Sequence, residues 1–176
     1  MARDLLGKVL VHGECTGRIV EVEAYLSSED RAAHSFRGVT ERTRVIFGPP
    51  GHVYVYFIYG MHECLNIVAE PDGVAGCVLL RALEPLTGVD LMLARRPGAK
   101  QVSDLANGPG KLTLAMGIDR GHYGVDLTRR ESSMTVRDSV AVADFEIAVG
   151  PRVGIRESAG LPLRFGIAGN RCVSRR

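Results

Sequence analysis

Two short alternating segments that flank a turn constrain the fold of this chain more than any other feature. Residues 53–58 (VYVYFI) place two tyrosines on one face and two valines and a phenylalanine on the other, as a half-buried strand does. Residues 59–62 (YGMH) are typical of a turn, and residues 64–69 supply a second apolar segment that can return beside the first. The pattern predicts a β-hairpin.

Further segments favour short strands joined by turns over strand–helix–strand units. Strands are predicted at residues 18–25, 76–83, 134–138, 145–149 and 163–168, and helices at residues 27–34, 87–95 and 110–116. Strict alternation within residues 18–25 would put Ile19 and Tyr25 on the same face as Glu23. We therefore predict one domain over residues 1–176 with a mixed α/β (α+β) fold, in which helices flank a curved, largely antiparallel sheet and a hairpin protrudes.

The composition is that of a globular protein. Hydrophobic residues make up 45% and charged residues 24% of the chain, and both values are ordinary for a folded domain. No stretch approaches the ~20 apolar residues of a membrane span, and the first residues lack the apolar core of a signal peptide. We expect a soluble, intracellular protein with no membrane partner.

Neither the cysteines nor the net charge identifies a ligand. The four cysteines are widely spaced, with no C-x-x-C pair and no histidine at ligand spacing, so we expect buried thiols, no metal site and no cofactor. A formal net charge of +2 is compatible with a nucleic-acid partner but does not require one. Residues 37–44 form a basic, polar stretch that we expect to be an exposed loop.

Three residues resist a purely structural interpretation. Glu23 lies in an apolar strand, and Arg81 interrupts an apolar segment in which an unpaired guanidinium would be costly to bury. Tyr59 occupies the predicted hairpin tip, where a large aromatic side chain has little to pack against. Two structural alternatives stay open: an ion pair between Glu23 and Arg81, and a Tyr59 that folds back onto its own domain.

The combination of Glu23, Arg81 and Tyr59 fits one type of chemistry better than others. Excision of a purine from DNA needs a carboxylate to deprotonate water and flat π surfaces to hold the extruded base. It also needs a wedge to fill the gap left in the base stack. Glu23 offers the carboxylate and Arg81 a neighbouring cation, while Tyr59 offers the wedge.

Six motifs occur in order along nearly the whole chain. They are GRIVEVEAY (17–25), AAHS (32–35), VYVYFIYGMHECLN (53–66), CVLLRALEP (77–85), GPGKL (108–112) and PRVG (151–154). In these motifs the chain resembles the alkyladenine (3-methyladenine) DNA glycosylase family, of the methylpurine type without a helix-hairpin-helix. GPGKL alone would be weak support for this family. The same motif is too short and wrongly spaced to be a phosphate-binding loop.

The resemblance implies a base-excision-repair enzyme that hydrolyses the bond between a damaged purine and its sugar in duplex DNA. It implies that Glu23 is the general base for the attacking water. Arg81 would hold that water together with Glu23, and the carbonyl of Val153 would complete the water site. The expected protein is an intracellular, DNA-associated monomer.

The resemblance also implies residues that contact the DNA. Tyr25, His34 and Tyr56 would stack around the flipped base, and Tyr59 would intercalate from the minor groove. Asn66 would lie beside the purine 2-position, where it would clash with the amino group of an intact guanine. Contacts with the DNA backbone are expected from Arg37, Arg42, Arg44, Met61 and Lys111.

Three alternative functions compete with this interpretation. A glycosylase-lyase would need an amine nucleophile, and Lys111 is the sole motif lysine among three in the chain. A non-catalytic nucleic-acid-binding domain would use the basic loop and Tyr59 without excision, but it would not need Glu23 and Arg81. A hydrolase of free nucleosides would not need an exposed wedge. Hydrolysis of a lesion in DNA by water is therefore favoured.

Overall fold

The computed structural model describes residues 1–27, 29–139 and 146–174. Within them, eight strands form one sheet: β1 (Val9–His12), β2 (Cys15–Tyr25), β3 (Val53–Ile58), β4 (His62–Val68), β5 (Cys77–Thr87), β6 (Met134–Arg137), β7 (Ile147–Gly150) and β8 (Arg164–Ile167). The α-helices are α1 (Ala2–Leu5), α2 (Val89–Arg95) and α3 (Pro109–Met116). Short 3₁₀ helices cover His34–Arg37, Arg44–Phe47, Val102–Asp104 and Arg120–His122.

Every described strand pairing is antiparallel, and the sheet curls around its long central strands. The strand order is β3-β4-β5-β2-β1-β6, with β8 paired to β2 and β7 paired to β8. β2 spans 11 residues, so one of its edges accommodates β1 along residues 15–18 and β8 along residues 21–23. β5 pairs along the other edge of β2. The predicted fold class, a curved antiparallel sheet with flanking helices and a hairpin, is confirmed.

One face of the sheet buries the main hydrophobic core. Alternate residues of β3, β4 and β5 point into it, among them Val55, Leu65 and Leu80, and α2 and α3 cover it with Met92 and Leu112. Truncating a buried leucine to alanine typically costs ~2–5 kcal/mol of stability. This core fixes the strands from one side, so the opposite face can carry polar and aromatic side chains.

Two of the three register shifts on the β2–β5 pair, both β-bulges, set the directions of the side chains near Glu23. Val20 is the extra residue on β2 and Arg81 the extra residue on β5, as the register Ile19↔Leu83, Glu21↔Ala82 and Val22↔Leu80 shows. The bulge places both Ile19 and Val20 in the main core, so the prediction that Ile19 shares a face with Glu23 is wrong. Bulges are frequent beside active sites, where they redirect side chains.

The helix predicted at residues 27–34 is wrong. Ser28 lies outside the described residues, and the described ones form a bend and turns that lead into the 3₁₀ helix at His34–Arg37. The cause is Asp30, whose buried carboxylate accepts hydrogen bonds from the backbone N–H groups of Leu26 and Ala32. These bonds close local turns in place of a helical ladder.

The other predicted elements are present with shifted ends. β5 continues to Thr87, so the helix predicted at residues 87–95 begins at Val89. β7 corresponds to the strand predicted at residues 145–149, of which Phe145 lies outside the described part of the chain. The elements α1 and β1 were not predicted. In the described ranges no helix has the length and apolar character that a membrane crossing requires.

The predicted hairpin is confirmed, and it protrudes from the sheet. β3 and β4 pair from Val53↔Ile67 to Ile58↔His62, whereas the pairing of β4 with β5 runs along residues 66–68. The part nearer the turn therefore extends as a two-stranded ribbon. At its tip Tyr59 and Gly60 both have positive φ, 55° and 68°, which tight hairpin turns require and a tyrosine seldom adopts.

Candidate active site

The strand register brings four side chains into one row on the face opposite the main core. The row consists of Tyr54 on β3, Asn66 on β4, Leu79 on β5 and Glu23 on β2. Residues directly opposite one another on adjacent strands point to the same face of the sheet. Side chains that are far apart in sequence thus become neighbours across four strands.

Three members of this row, Tyr54, Asn66 and Leu79, line a cavity of about 310 Å³, whereas Glu23 is not itself part of the lining. This volume is at the lower end of the ~300–1,000 Å³ of small-ligand sites. Seven of the residues predicted for the site line it together: Tyr25, His34, Tyr56, Tyr59, Asn66, Arg81 and Val153. The lining also includes Tyr54, Cys64 and Cys77. An enclosed space with flat rings and few polar groups suits a planar heterocycle.

Aromatic rings form one wall of the cavity. The ring centres of His34 and Tyr56 are 4.5 Å apart, and those of Tyr54 and Tyr56 are 5.4 Å apart. His34 Nδ1 lies 2.9 Å from the hydroxyl oxygen of Tyr54, and Tyr123 packs edge-on against Tyr54 from behind. These contacts hold the rings in fixed orientations against which a base can stack.

The titratable groups of this wall are uncharged at neutral pH. Desolvation, and secondly the Arg42 guanidinium, lower the pKa of His34 to about 4. Desolvation raises the pKa of Tyr54 to about 12 and that of Tyr56 far above its usual range. The wall therefore presents a neutral imidazole and neutral phenols.

Glu23 is fully buried, and three residues of the cavity lining hold its carboxylate. Its Oε1 accepts a hydrogen bond from the backbone N–H of Val153 at 2.7 Å and lies 3.2 Å from Arg81 Nη1. Its Oε2 accepts a hydrogen bond from the hydroxyl of Tyr25 at 2.9 Å. Arg81 therefore lies beside Glu23 as expected, and Val153 contacts the carboxylate through its backbone N–H, while a water held by the Val153 carbonyl stays a prediction.

Arg81 bridges two buried carboxylates. Its Nη1 faces Glu23, its Nε donates to Glu21 Oε1 at 3.3 Å, and its Nη2 donates to Ser174 Oγ at 3.2 Å. Glu21 also accepts a hydrogen bond from the backbone N–H of Ser174 and lies 3.6 Å from Arg164 Nη1. The ion pair that the sequence left open exists, and it includes a second glutamate. Such pairing offsets the cost of burying the charges.

Two buried residues that the sequence did not indicate support Tyr25 from behind. The guanidinium carbon of Arg152 lies 4.6 Å from the Tyr25 ring centre, and Arg152 Nη2 donates to Asp30 Oδ1 at 2.8 Å. Desolvation, followed by the Glu23 charge, raises the pKa of Tyr25, so its hydroxyl stays protonated and can donate. Asp30 and Arg152 are 122 residues apart, so the sequence does not show that they pair. Only the position of Arg152 within the PRVG motif indicated that this residue could matter for the site.

Asn66 is held rigidly in the cavity lining. Its Nδ2 donates to the backbone carbonyls of Tyr54 and Cys64 at 3.1 and 3.4 Å, and Cys77 Sγ lies 3.8 Å from its Oδ1. The residue is buried. Because both ends of its amide have partners, the Asn66 side chain is fixed in the cavity lining.

Tyr59 and Met61 project from the hairpin tip. Tyr59 is 78% exposed and Met61 is 69% exposed, so the alternative in which Tyr59 folds back onto its own domain is wrong. Tyr59 also contributes to the rim of the cavity. The predicted intercalation of Tyr59 stays a prediction, for which its exposure beside the cavity is the required position.

The predicted backbone-contacting cations lie outside the cavity lining, on described and exposed parts of the surface. The basic loop exposes three of them, as predicted: Arg37, Arg42 and Arg44. The guanidinium carbon of Arg42 is 5.4 Å from the Tyr56 ring centre. Lys111 is exposed, and its Nζ donates to Asn107 Oδ1 at 2.7 Å.

The four cysteines are buried free thiols, as predicted. Desolvation raises the pKa of Cys64 and raises that of Cys77 to about 12, so both thiols of the cavity stay protonated. Among the residues that the structure describes, no three His, Cys, Asp or Glu side chains are grouped so that they could hold a metal ion.

Comparison with known proteins decides the family. The chain matches the family model of methylpurine-DNA glycosylase (MPG) over residues 1–171. The chain belongs to the methylpurine-DNA glycosylase family. It is therefore a DNA N-glycosylase of DNA repair, and the resemblance seen in the six motifs is confirmed.

Relatives of this glycosylase share about half of its residues. It is 52% identical over 182 residues to a protein of Methanoculleus marisnigri, covering 100% of this chain and 93% of the relative. Identity is 49% over 175 residues to a protein of Burkholderia lata, with 99% and 84% covered. A protein of Chlorobaculum tepidum is 46% identical over 180 residues, with 99% and 85% covered. All three carry the name "Putative 3-methyladenine DNA glycosylase".

Proposed function

We propose that this glycosylase flips alkylated or deaminated purines, of the 3-methyladenine, hypoxanthine and ethenoadenine type, out of duplex DNA. It then hydrolyses the N-glycosidic bond with a water activated by Glu23. One observation carries the proposal: the Glu23 carboxylate contacts Tyr25, Arg81 and Val153, all of which line the aromatic cavity. In this proposal, a base stacked in the cavity would have its sugar on the side where this carboxylate lies.

The contacts of Glu23 suit a general base. A carboxylate offers about four acceptor sites, and among the described residues two donors reach Oε1 and one reaches Oε2. One site on Oε2 is left for a water. As the bond from C1′ to the base nitrogen breaks, the water oxygen bonds to C1′ and its proton passes to Glu23. The bonding electron pair leaves with the base.

The neutral aromatic wall supports binding of both charged and uncharged lesions. A cationic base such as 3-methyladenine is attracted to π faces by about 2 kcal/mol when desolvated. Because the pKa of His34 is lowered to about 4, this ring does not repel a cation at neutral pH. Uncharged lesions depend on stacking for binding, and their departure needs protonation of the leaving base.

Asn66 supports discrimination against intact guanine. Its amide is fixed by two backbone carbonyls and cannot move aside easily. A purine with an amino group at its 2-position would meet this fixed side chain, whereas adenine-derived and hypoxanthine bases lack that group. Rejection by a steric clash is an established route to specificity.

The surface around the cavity fits duplex DNA. The exposed Tyr59 at the hairpin tip would fill the gap left by the flipped nucleotide. Arg37, Arg42, Arg44, Met61 and Lys111 would contact the backbone, so binding should weaken as salt concentration rises. We propose that the enzyme acts as a monomer, without a cofactor, wherever the cell holds its DNA.

The test is incubation of the purified protein with duplexes that each carry one defined lesion. Alkali is then used to cleave the abasic sites. We expect cleavage at alkylated and deaminated purines after alkali, with intact strands before it. Strand cleavage without alkali would instead indicate a lyase, and tight binding without abasic sites would indicate a non-catalytic binding domain. Activity abolished by EDTA and restored by zinc would contradict metal-free hydrolysis.

A further inference from the structure

We propose that the first turn of α3, within the GPGKL motif, is a seat for the hairpin tip, and that Gly110 and Thr113 are positioning residues for Tyr59. This inference rests on the proposed function, in which Tyr59 enters the duplex. It also assigns a role to the GPGKL motif, which does not fit a phosphate-binding loop.

The hairpin tip needs support from outside the hairpin. Beyond residues 66–68 of β4, the ribbon of β3 and β4 continues past its pairing with β5, and an isolated two-stranded hairpin is only marginally stable. Tyr59 also has a φ of 55°, a conformation that is strained for a residue other than glycine. Surrounding contacts must therefore keep the tip in this geometry.

Gly110 lets α3 approach the hairpin closely. A Cβ atom added to Gly110 would lie 2.8 Å from Cγ and 2.9 Å from Cβ of His62, which is far inside normal contact. His62 is the first residue of β4 and pairs with Ile58, so it adjoins the turn that presents Tyr59. The atoms that would clash are close to the backbone of His62. A rotation of its ring therefore cannot relieve the clash, and the strand end itself would have to shift.

Thr113 ties the same strand to α3. This residue is buried, and its Oγ1 donates to the backbone carbonyl of Glu63 at 2.9 Å. The carbonyls of Gly110 and Pro109, at 3.0 and 3.3 Å, are alternative acceptors for the same proton. Gly110 and Thr113 are three residues apart, so they lie on one side of the helix and contact successive residues of β4.

The first turn of α3 is itself held by contacts with the core and with β5. Leu112 of α3 lies in the main core, and the segment before α3 joins β5 through the bridge between Asn107 and Ala82. Ala82 follows Arg81 on that strand. The first turn of α3 thus connects the hairpin tip with the strand that carries the partner of Glu23.

The test compares single-turnover excision on a fully paired duplex with excision of the same lesion in a pre-opened bulge. Gly110→Ala should slow the paired reaction about tenfold, since small displacements of a positioned group cost up to ~100-fold. The bulged reaction should change less than about twofold, because less flipping energy is needed there. Gly98→Ala is the control: this position has no atom near an added Cβ and should leave both rates unchanged.

Two further comparisons separate positioning from a general structural role. In a His62→Ala background the clash partner is absent, so adding Gly110→Ala should no longer change the ratio of paired to bulged rates. Thr113→Val, which removes the hydroxyl, should lower that ratio, and Thr113→Ser should restore it. The proposal is overturned if Gly110→Ala slows both substrates equally, if its effect persists without His62, or if the Val and Ser variants behave alike.

Tyr59→Ala, measured in the same assay, distinguishes failure of this inference from failure of the proposed function. A loss confined to the paired duplex for Tyr59→Ala, with none for Gly110→Ala and Thr113→Val, would overturn the seat and leave the wedge intact. If Tyr59→Ala slows the paired and the bulged reactions equally, the proposed intercalation of Tyr59 is wrong. The proposed support of Tyr59 by α3 is then wrong as well.

Discussion

Glu21 and Glu23 stand two residues apart on β2, are both fully buried and share Arg81, yet their surroundings differ. The partners of Glu23 line the aromatic cavity, whereas Glu21 contacts Ser174 and Arg164, outside that lining. Burial and a charged partner therefore do not identify a catalytic carboxylate by themselves, because structural ion pairs show both. What distinguishes Glu23 is that all three of its contacts come from residues of the aromatic cavity, whereas Glu21 has only Arg81 in common with that lining.

The largest expected effect is that of Glu23→Gln. The amide keeps the shape of the side chain but removes the base, and general-base catalysis contributes ~10²–10⁴-fold. Single-turnover excision should fall by that factor, while binding of lesion-containing duplex, measured by fluorescence anisotropy, should stay within about twofold. A variant with nearly the wild-type rate would show that Glu23 is structural and would remove the distinction from Glu21.

Glu21→Gln should affect stability in place of catalysis. Arg81 would lose a charge-assisted hydrogen bond, which contributes ~1.5–3 kcal/mol, and Arg164 would lose a charged neighbour 3.6 Å away. We expect a melting temperature lowered by several degrees, since ~1 kcal/mol corresponds to ~2–4 °C for a domain of this size. Calorimetry checks the change. An unchanged melting temperature would mean that the Glu21 cluster contributes little to folding.

Tyr59→Ala tests whether the cavity beside Glu23 receives a flipped base. Stacking by an aromatic side chain is worth ~1–3 kcal/mol, so excision from a paired duplex should fall about 5- to 160-fold. The loss should shrink opposite a mismatch or in a bulge. The measurement consists of single-turnover excision rates on the paired and the bulged duplex, together with a melting curve of the variant protein. Equal losses with a lowered melting temperature would indicate a packing role.

The smallest expected effect is on a substrate that the enzyme normally rejects. Asn66→Ser shortens the side chain at the cavity boundary and should permit slow release of intact guanine, with excision of lesions changed by less than about tenfold. Long incubation of undamaged duplex, followed by alkali, detects the product. If guanine is still refused, selectivity lies elsewhere along the wall, at Tyr25 or His34.

Local patterns in the sequence predicted the elements that depend on local physics. Alternation in β3 and β4 predicted the hairpin and the exposed Tyr59, because a period of two persists whatever the strands pair with. Glu23 and Arg81 were noticeable because charged residues interrupt apolar strands. The resemblance to the family, and not periodicity, indicated the roles of His34 and Asn66.

Features that depend on pairing across the chain could not be predicted. The bulges at Val20 and Arg81 follow from the β2–β5 register, so strict alternation misplaced Ile19. Asp30 bonds with Arg152, 122 residues away. The sequence near Asp30 does not reveal this partner. The residues typical of a helix start around Asp30 therefore led to the wrong prediction of a helix at residues 27–34.

The most direct test of the account is the ratio of single-turnover rates for Glu21→Gln and Glu23→Gln. Both variants are measured on one lesion in one duplex and normalised to the folded fraction of each protein. Both remove one charge from the same strand beside the same arginine, so nonspecific effects of the substitution are matched. The account predicts that Glu21→Gln is faster by about 100-fold or more. Equal rates, or a faster Glu23→Gln, would contradict the assignment of Glu23 as the base that activates water.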